Sequence, residues 1–308
     1  MKEKILEKLK VLTPITECDG IYYKRDDLFT PFDDGSLTDK YIKGINGTKL
    51  RQALSLLINN YDKIKNECNN TIVAHQSSTT QQGILITSCA NVFDIRTLLV
   101  TGNLAESSFD DNALIYNAKA IGAEFDNSCK IAYNSVLDKK VSDLIEENNY
   151  FNFNFVDNCI SNYDSIVLPV AYQCKNIPDD VEQVIVPAGN SIIFASVIIG
   201  CAMYKRSVKE VIGIQISGMN RTDTVADILE KYLTNHNVDF PDVDFILDKT
   251  YSYSTLVDVE LSDGTKLDPI YEAKAYNYMT SKIDLSRKTL FWIAGSSLPS
   301  RIKKGENV

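Results

Sequence analysis

Apolar positions along the first two thirds of the chain fall into two alternating patterns. TIVAH (71–75) is a short continuous run that predicts a buried strand; a Ser/Thr/Gln turn follows, and residues 81–91 then carry helical spacing. IRTLLV (95–100) predicts the next strand, and residues 112–121 the next helix, ended by Gly122. A further strand–helix unit runs through Phe125 and residues 133–148, followed by a strand at 181–187, an apolar helix at 192–204 and a strand at 211–218. Strands alternating with helices predict parallel sheets in an α/β architecture. From about Asp248 the pattern changes. VDVELSDGTKLDPIY holds two short runs around an Asp263-Gly264 turn and predicts a hairpin. KTLFWIAGSSLPSRI then predicts a buried strand running into a Gly/Ser loop, and MKEKILEKLKVL at the start predicts a short amphipathic helix in place of a signal peptide.

The 308 residues, 44% hydrophobic and 24% charged, suffice for a sizeable core or two coupled lobes. A net charge of −9 gives no electrostatic reason to bind bare nucleic acid, which needs clustered Lys and Arg. No apolar run approaches the roughly 20 residues of a membrane span. Seven cysteines stand singly with no C-x-x-C pair, which points to reduced thiols in a cytoplasm. Two histidines argue against a histidine-rich metal site, so no metal is expected, and no G-x-S-x-G elbow is present.

Four segments carry candidate chemistry. YKRDDLF begins at Tyr23, and NGTKLRQA follows it with Lys49 at the start of a helix whose apolar face is Leu50, Ala53, Leu54, Leu57 and Ile58. A lysine desolvated at such a helix entry loses pKa and becomes an amine nucleophile; the alternative is a solvated surface lysine. In VIVPAGNSIIFASVIIG, Gly189, Asn190 and Ser191 lie between a strand and an apolar helix, which suits an anion or a plain capped turn. HQSSTTQQG (75–83) offers either a helix cap or a set of hydroxyls and amides for a carboxylate. In DPIYEAKAYNYM, Tyr271 and Glu272 precede a helix, where an acidic residue also suits the helix dipole. Tyr251 and Tyr253 read as packing aromatics, with Tyr251 a candidate catalytic phenol.

Together and in this order, these segments, with DNALIYNAKAIGAEF and LFWIAGSSLPS, resemble the fold-type II pyridoxal-phosphate enzymes over roughly residues 20–300. The nearest likeness is to the 1-aminocyclopropane-1-carboxylate deaminase and D-cysteine desulfhydrase branch. The resemblance implies the tryptophan synthase β-like fold: two lobes, each a twisted, mostly parallel sheet flanked by helices. A smaller lobe spans 50–160, a larger one spans 1–49 plus 161–308, and the active site lies between them. The Asn/Tyr/Phe-rich residues 148–163 would cross from one to the other. It implies pyridoxal 5′-phosphate on a Lys49 Schiff base, its phosphate on Gly189, Asn190 and Ser191, its pyridine nitrogen against Glu272 and its 3′ oxygen at Ser78. Tyr271 and Tyr251 would join Lys49 in catalysis, and Ser77, Thr79, Thr80 and Gln81 would meet the substrate carboxylate.

The chain departs from that family in ways that bear on substrate. Ser78 stands where the family has asparagine, the phosphate loop reads AGNSII, the stretch between Tyr251 and Asp268 is short, and the closing loop reads GSSLP in place of G-G-x-P. The leading expectation is a lyase or deaminase acting at Cα of an amino acid. A decarboxylase of the same fold, acting on an amino-acid-modified thymine in viral DNA, is the alternative; a catalytically silent binding protein is the third. The resemblance implies a homodimer in the cytoplasm, that of the host if the protein is viral, with a nucleic-acid partner only in the decarboxylase case.

Overall fold

The computed structural model describes residues 2–32, 40–102, 111–216 and 220–303; the end of the strand expected at 211–218 therefore lies outside the described residues. One sheet has the order β5-β4-β3-β6, built from β3 (Thr71–His75), β4 (Arg96–Gly102), β5 (Glu124–Cys129) and β6 (Phe151–Asn152), all parallel. The other has the order β1-β2-β10-β7-β8-β9, from β1 (Ile15–Cys18), β2 (Ile21–Arg25), β7 (Gln183–Ala188), β8 (Glu210–Gln215), β9 (Asp242–Leu247) and β10 (Thr289–Ile293). Only its β1–β2 pair is antiparallel. This is the expected α/β architecture of mostly parallel sheets flanked by helices. Helices on both faces bury every residue of β7 and β10, which is why those strands read as unbroken apolar runs.

The helices expected at 81–91, 112–121, 133–148 and 192–204 form at Gln82–Val92, Ala113–Ala120, Asn134–Asn148 and Ile192–Met203. The hairpin expected after Asp248 reduces to one antiparallel bridge, Glu260 to Lys266, around Gly264 at φ +84°. Its apolar residues Leu261 and Leu267 are drawn into the core beside the larger sheet, and this burial replaces a ladder.

Four strands, β1, β2, β6 and β9, escaped the periodicity, β2 and β9 for opposite reasons. β2 contains Lys24, a fully buried amine that donates to Thr13 O and Asn176 Oδ1 at 2.8 Å each. Burial pushes the Lys24 pKa down to about 8. β9 is an edge strand with four of its six residues exposed, so it lacks an apolar run. Residues 148–163 are ordered: Phe151, Phe153 and Phe155 are buried and meet edge to face, and Asn154 caps the helix Phe155–Ser161. Among the described residues, no helix is long and apolar enough to cross a membrane.

Candidate active site

The start of the Thr48–Asn59 helix is tied down from both sides of Lys49. Asp26, fully buried just past β2, accepts from Thr48 Oγ1 at 2.6 Å, from Thr13 Oγ1 at 2.8 Å and from Arg51 Nη2 at 3.3 Å. Arg51 also donates to Leu9 O at 2.9 Å and stacks on Phe29 at 3.9 Å from its ring centre. Thr48 N donates to Ala294 O at 2.6 Å, at the end of β10. Gly47 permits this approach: its φ is +96°, and a Cβ there would collide with the Ala294 carbonyl. Asp26 of YKRDDLF therefore holds Thr48 and Arg51, one residue before Lys49 and two after it.

Lys49 lines a cleft of about 720 Å3, counting its open mouth. Its ammonium lies 5.7 Å from the centre of the Tyr271 ring. Burial lowers the Lys49 pKa below the ordinary lysine value, and the Asp268 and Glu272 carboxylates partly oppose that shift. Glu272 is 3% exposed and accepts from Ala294 N at 3.1 Å. Burial, reinforced by Asp268, holds its carboxyl well above the usual range. Asp268 accepts four hydrogen bonds, from Ile270 N (2.9 Å), Tyr271 N (3.1 Å), Ser297 N (2.8 Å) and Ser297 Oγ (2.6 Å).

Opposite these carboxylates, β7 ends in the turn of Gly189, Asn190 and Ser191, all lining the cleft. Ser191 adopts φ +65° ahead of the Ile192–Met203 helix, and its Oγ is buried with no hydrogen-bond partner among the described residues. A buried, unsatisfied hydroxyl at a helix start is costly unless a ligand meets it. Gly189 packs against Tyr271: a Cβ there would sit 2.7 Å from that ring.

The 76–83 turn is organised from inside by Gln76, 1% exposed, which donates to Thr80 O and accepts from Gly83 N at 2.7 Å each. It presents Thr79, Thr80 and Gln81 to the cleft. Ser77, Ser78 and Tyr251 are not among the lining residues. Ser77 Oγ is paired with Thr79 Oγ1 at 2.9 Å, while Ser78 is exposed and its carbonyl accepts from Asn112 Nδ2. The Tyr251 hydroxyl accepts from Asn277 Nδ2 at 3.2 Å, and Tyr253 takes the place beside Tyr271, hydroxyl to hydroxyl at 2.6 Å. Buried Lys274 fixes this by donating to Ser252 O and Tyr253 O at 2.9 Å each. Sequence reasoning missed Asp268, Ser297 and Arg301 at the cleft. A usable signal for Asp268 was its place before Pro269, where an aspartate closes a turn onto the next amides.

No protein-family model matches the chain. It is 28% identical over 214 residues to the O-seryl-dTMP PLP-dependent decarboxylase of Salmonella phage ViI, over 67% of this chain and 49% of that protein. The chain thus spans about half the length of the curated relative it matches. Among solved structures, an ACC deaminase homologue superposes with a TM-score of 0.70 at 17% identity, covering 96% of this chain and 95% of that one. Threonine deaminase isoform 2 of Solanum lycopersicum gives 0.58 at 11% identity, with 95% and 88% covered. A pyridoxal 5′-phosphate-dependent aspartate racemase gives 0.56 at 14% identity, with 96% and 94% covered. The fold is therefore that of the fold-type II enzymes, in a divergent sequence.

Proposed function

We propose that this chain is a pyridoxal-phosphate-dependent enzyme that breaks a bond at Cα of an amino-acid-like substrate, and that the bond is the one to the carboxylate. One observation carries the cofactor reading. A lysine of lowered pKa, an unpaired hydroxyl at a helix start and a buried carboxyl converge on one cleft from three separate parts of the chain. These groups match the aldehyde, the phosphate and the ring nitrogen of pyridoxal phosphate in turn. Lys49 would hold the aldehyde, residues 189–191 the phosphate, and Glu272 would share a proton with the ring nitrogen. When bound, the cofactor supplies a sink for the electron pair left at Cα.

The chain's own part is acid–base work. Lys49, in the cleft and with its pKa lowered, would deliver a proton to Cα where the carboxylate has left. Tyr271 keeps its proton, because burial holds its phenol well above its usual range. The likeness to the phage decarboxylase favours carbon dioxide loss over deamination, with an amino acid attached to a thymidylate as the substrate class. A homodimer, expected from the resemblance, belongs to the same proposal.

Added pyridoxal phosphate should turn the purified protein yellow, and borohydride should fix the cofactor's mass on the peptide containing Lys49. Lys49→Ala should lose both the colour and turnover. A wild-type protein that stays colourless rules the proposal out. With aminoacylated thymidine nucleotides and free D- and L-amino acids, carbon dioxide without ammonia supports decarboxylation, whereas ammonia with an oxoacid establishes a deaminase instead.

A further inference from the structure

The segment after β10 returns across the cleft and is fastened to the smaller sheet's side. Ser300 Oγ donates to Gln81 Oε1 at 3.0 Å, and Asn117 Nδ2 donates to Ser300 O and Ile302 O at 2.9 and 2.8 Å. This strap carries Arg301 into the cleft wall beside Thr79, Thr80 and Gln81. One edge of the guanidinium is anchored, because Nε donates to Ser297 Oγ at 3.0 Å and that hydroxyl donates to Asp268. The outer edge is underused: Nη2 reaches Thr79 O only at 3.4 Å, and among the described residues no carboxylate pairs with Arg301.

Lys49 and Arg301 are the two cationic side chains lining the cleft. Once Lys49 is committed to the cofactor, Arg301 is the fixed positive charge that remains. Its hydrogen bonds go to the strap and the 76–83 turn, and none goes to residues 189–191, so the phosphate turn leaves it unclaimed. A half-buried guanidinium, pre-positioned with its fork open to a cleft, is suited to bidentate binding of an oxyanion.

We propose that Arg301 is the specificity residue of this cleft, binding an oxyanion of the substrate with the outer edge of its guanidinium; the proposal rests on the cofactor reading above. Two sources offer that chemistry, a nucleotide phosphate and the amino-acid carboxylate. Physical reasoning favours the phosphate when carbon dioxide leaves. A carboxylate loses its charge as its bond breaks, so a guanidinium clamped on it would stabilise the ground state more than the transition state.

The test uses cofactor-loaded protein, wild type against Arg301→Gln and Arg301→Lys, titrated with thymidine 5′-monophosphate, thymidine and serine by calorimetry and by the cofactor's visible band. Glutamine can still donate to Ser297, so the loop keeps its anchor, and an unchanged visible band in each variant shows the cofactor site intact. Arg301→Gln should weaken the phosphate probe on the order of 10- to 100-fold, as for loss of charged hydrogen bonds, leave thymidine unchanged, and be partly rescued by lysine. Weakened serine binding with the monophosphate unaffected assigns the carboxylate as the source. Unchanged binding of both probes with the band retained overturns the proposal, as does a loaded wild type that binds neither. A wild type that takes up no cofactor fails earlier, at the reading beneath it.

Discussion

Asp26 shows how far one side chain governs the catalytic candidate without touching it. It is a fully buried carboxylate paired with fully buried Arg51, and its other oxygen accepts from Thr48, next to Lys49. Removing one partner of such a pair leaves an uncompensated charge in the interior, a larger loss than the pair itself contributes. Asp26→Ala should therefore cost about 3–5 kcal/mol in urea unfolding, and a loss under about 1 kcal/mol would show that the hydrogen bond to the Leu9 carbonyl suffices to hold Arg51. The motif around Asp26 was legible in sequence as a cluster of charges near a lysine. Its order of contacts was not, because Asp26 and Thr48 are separated by 22 residues that spacing alone cannot fold.

At the scale of elements, the two cleft-lining turns differ in what stabilises them. The 189–191 turn needs only local geometry: the end of a buried strand and a helix start, both readable from VIVPAGNSII, and a left-handed Ser191, which the structure revealed. The 76–83 turn depends on Gln76, whose amide substitutes for backbone partners inside the loop. Sequence reading named the hydroxyls of that turn and passed over the glutamine, because a buried amide looks like any polar loop residue until its partners are known. It is also why Ser77 and Ser78, which read as cleft residues, face elsewhere. Gln76→Ala should cost less in unfolding than Asp26→Ala, about 1–3 kcal/mol, yet raise KM several-fold while cofactor colour persists. An unaltered KM would mean that the turn is held by its flanking strand and helix.

At the scale of the molecule, the cleft exists because separate chain segments end at one place: β2 with the helix that follows it, β7, residues 268–272, β10 with the strap, and the 76–83 turn. The lowered pKa of Lys49 is a property of that convergence. Burial penalises the ammonium, and Asp268 and Glu272 restore only part of its stability, so the free amine is populated at a lower pH than in an exposed lysine. Cofactor uptake by the stripped protein should therefore rise with pH through a midpoint below the ordinary lysine value. Asp268→Asn should move that midpoint further down, since it removes the larger of the two opposing charges. Stopped-flow absorbance across a pH series measures it, and a midpoint at the ordinary value would show a solvated amine.

The sequence by itself determined the alternation of strands and helices, the parallel α/β class, the buried strand before the AGNS turn and the helix that Lys49 opens. These follow from periodicity, which records which face of each element meets the core. Only the tertiary structure decided that Asp26 holds Thr48 and Arg51 around Lys49, that Tyr253 and not Tyr251 meets Tyr271, that Asp268 ties two loops together, and that Arg301 reaches the cleft. Each of these is a contact between residues far apart in the chain or a choice between near neighbours of like chemistry. Periodicity carries no information about which of two adjacent polar residues finds a partner; hydrogen-bond geometry between separate segments settles it.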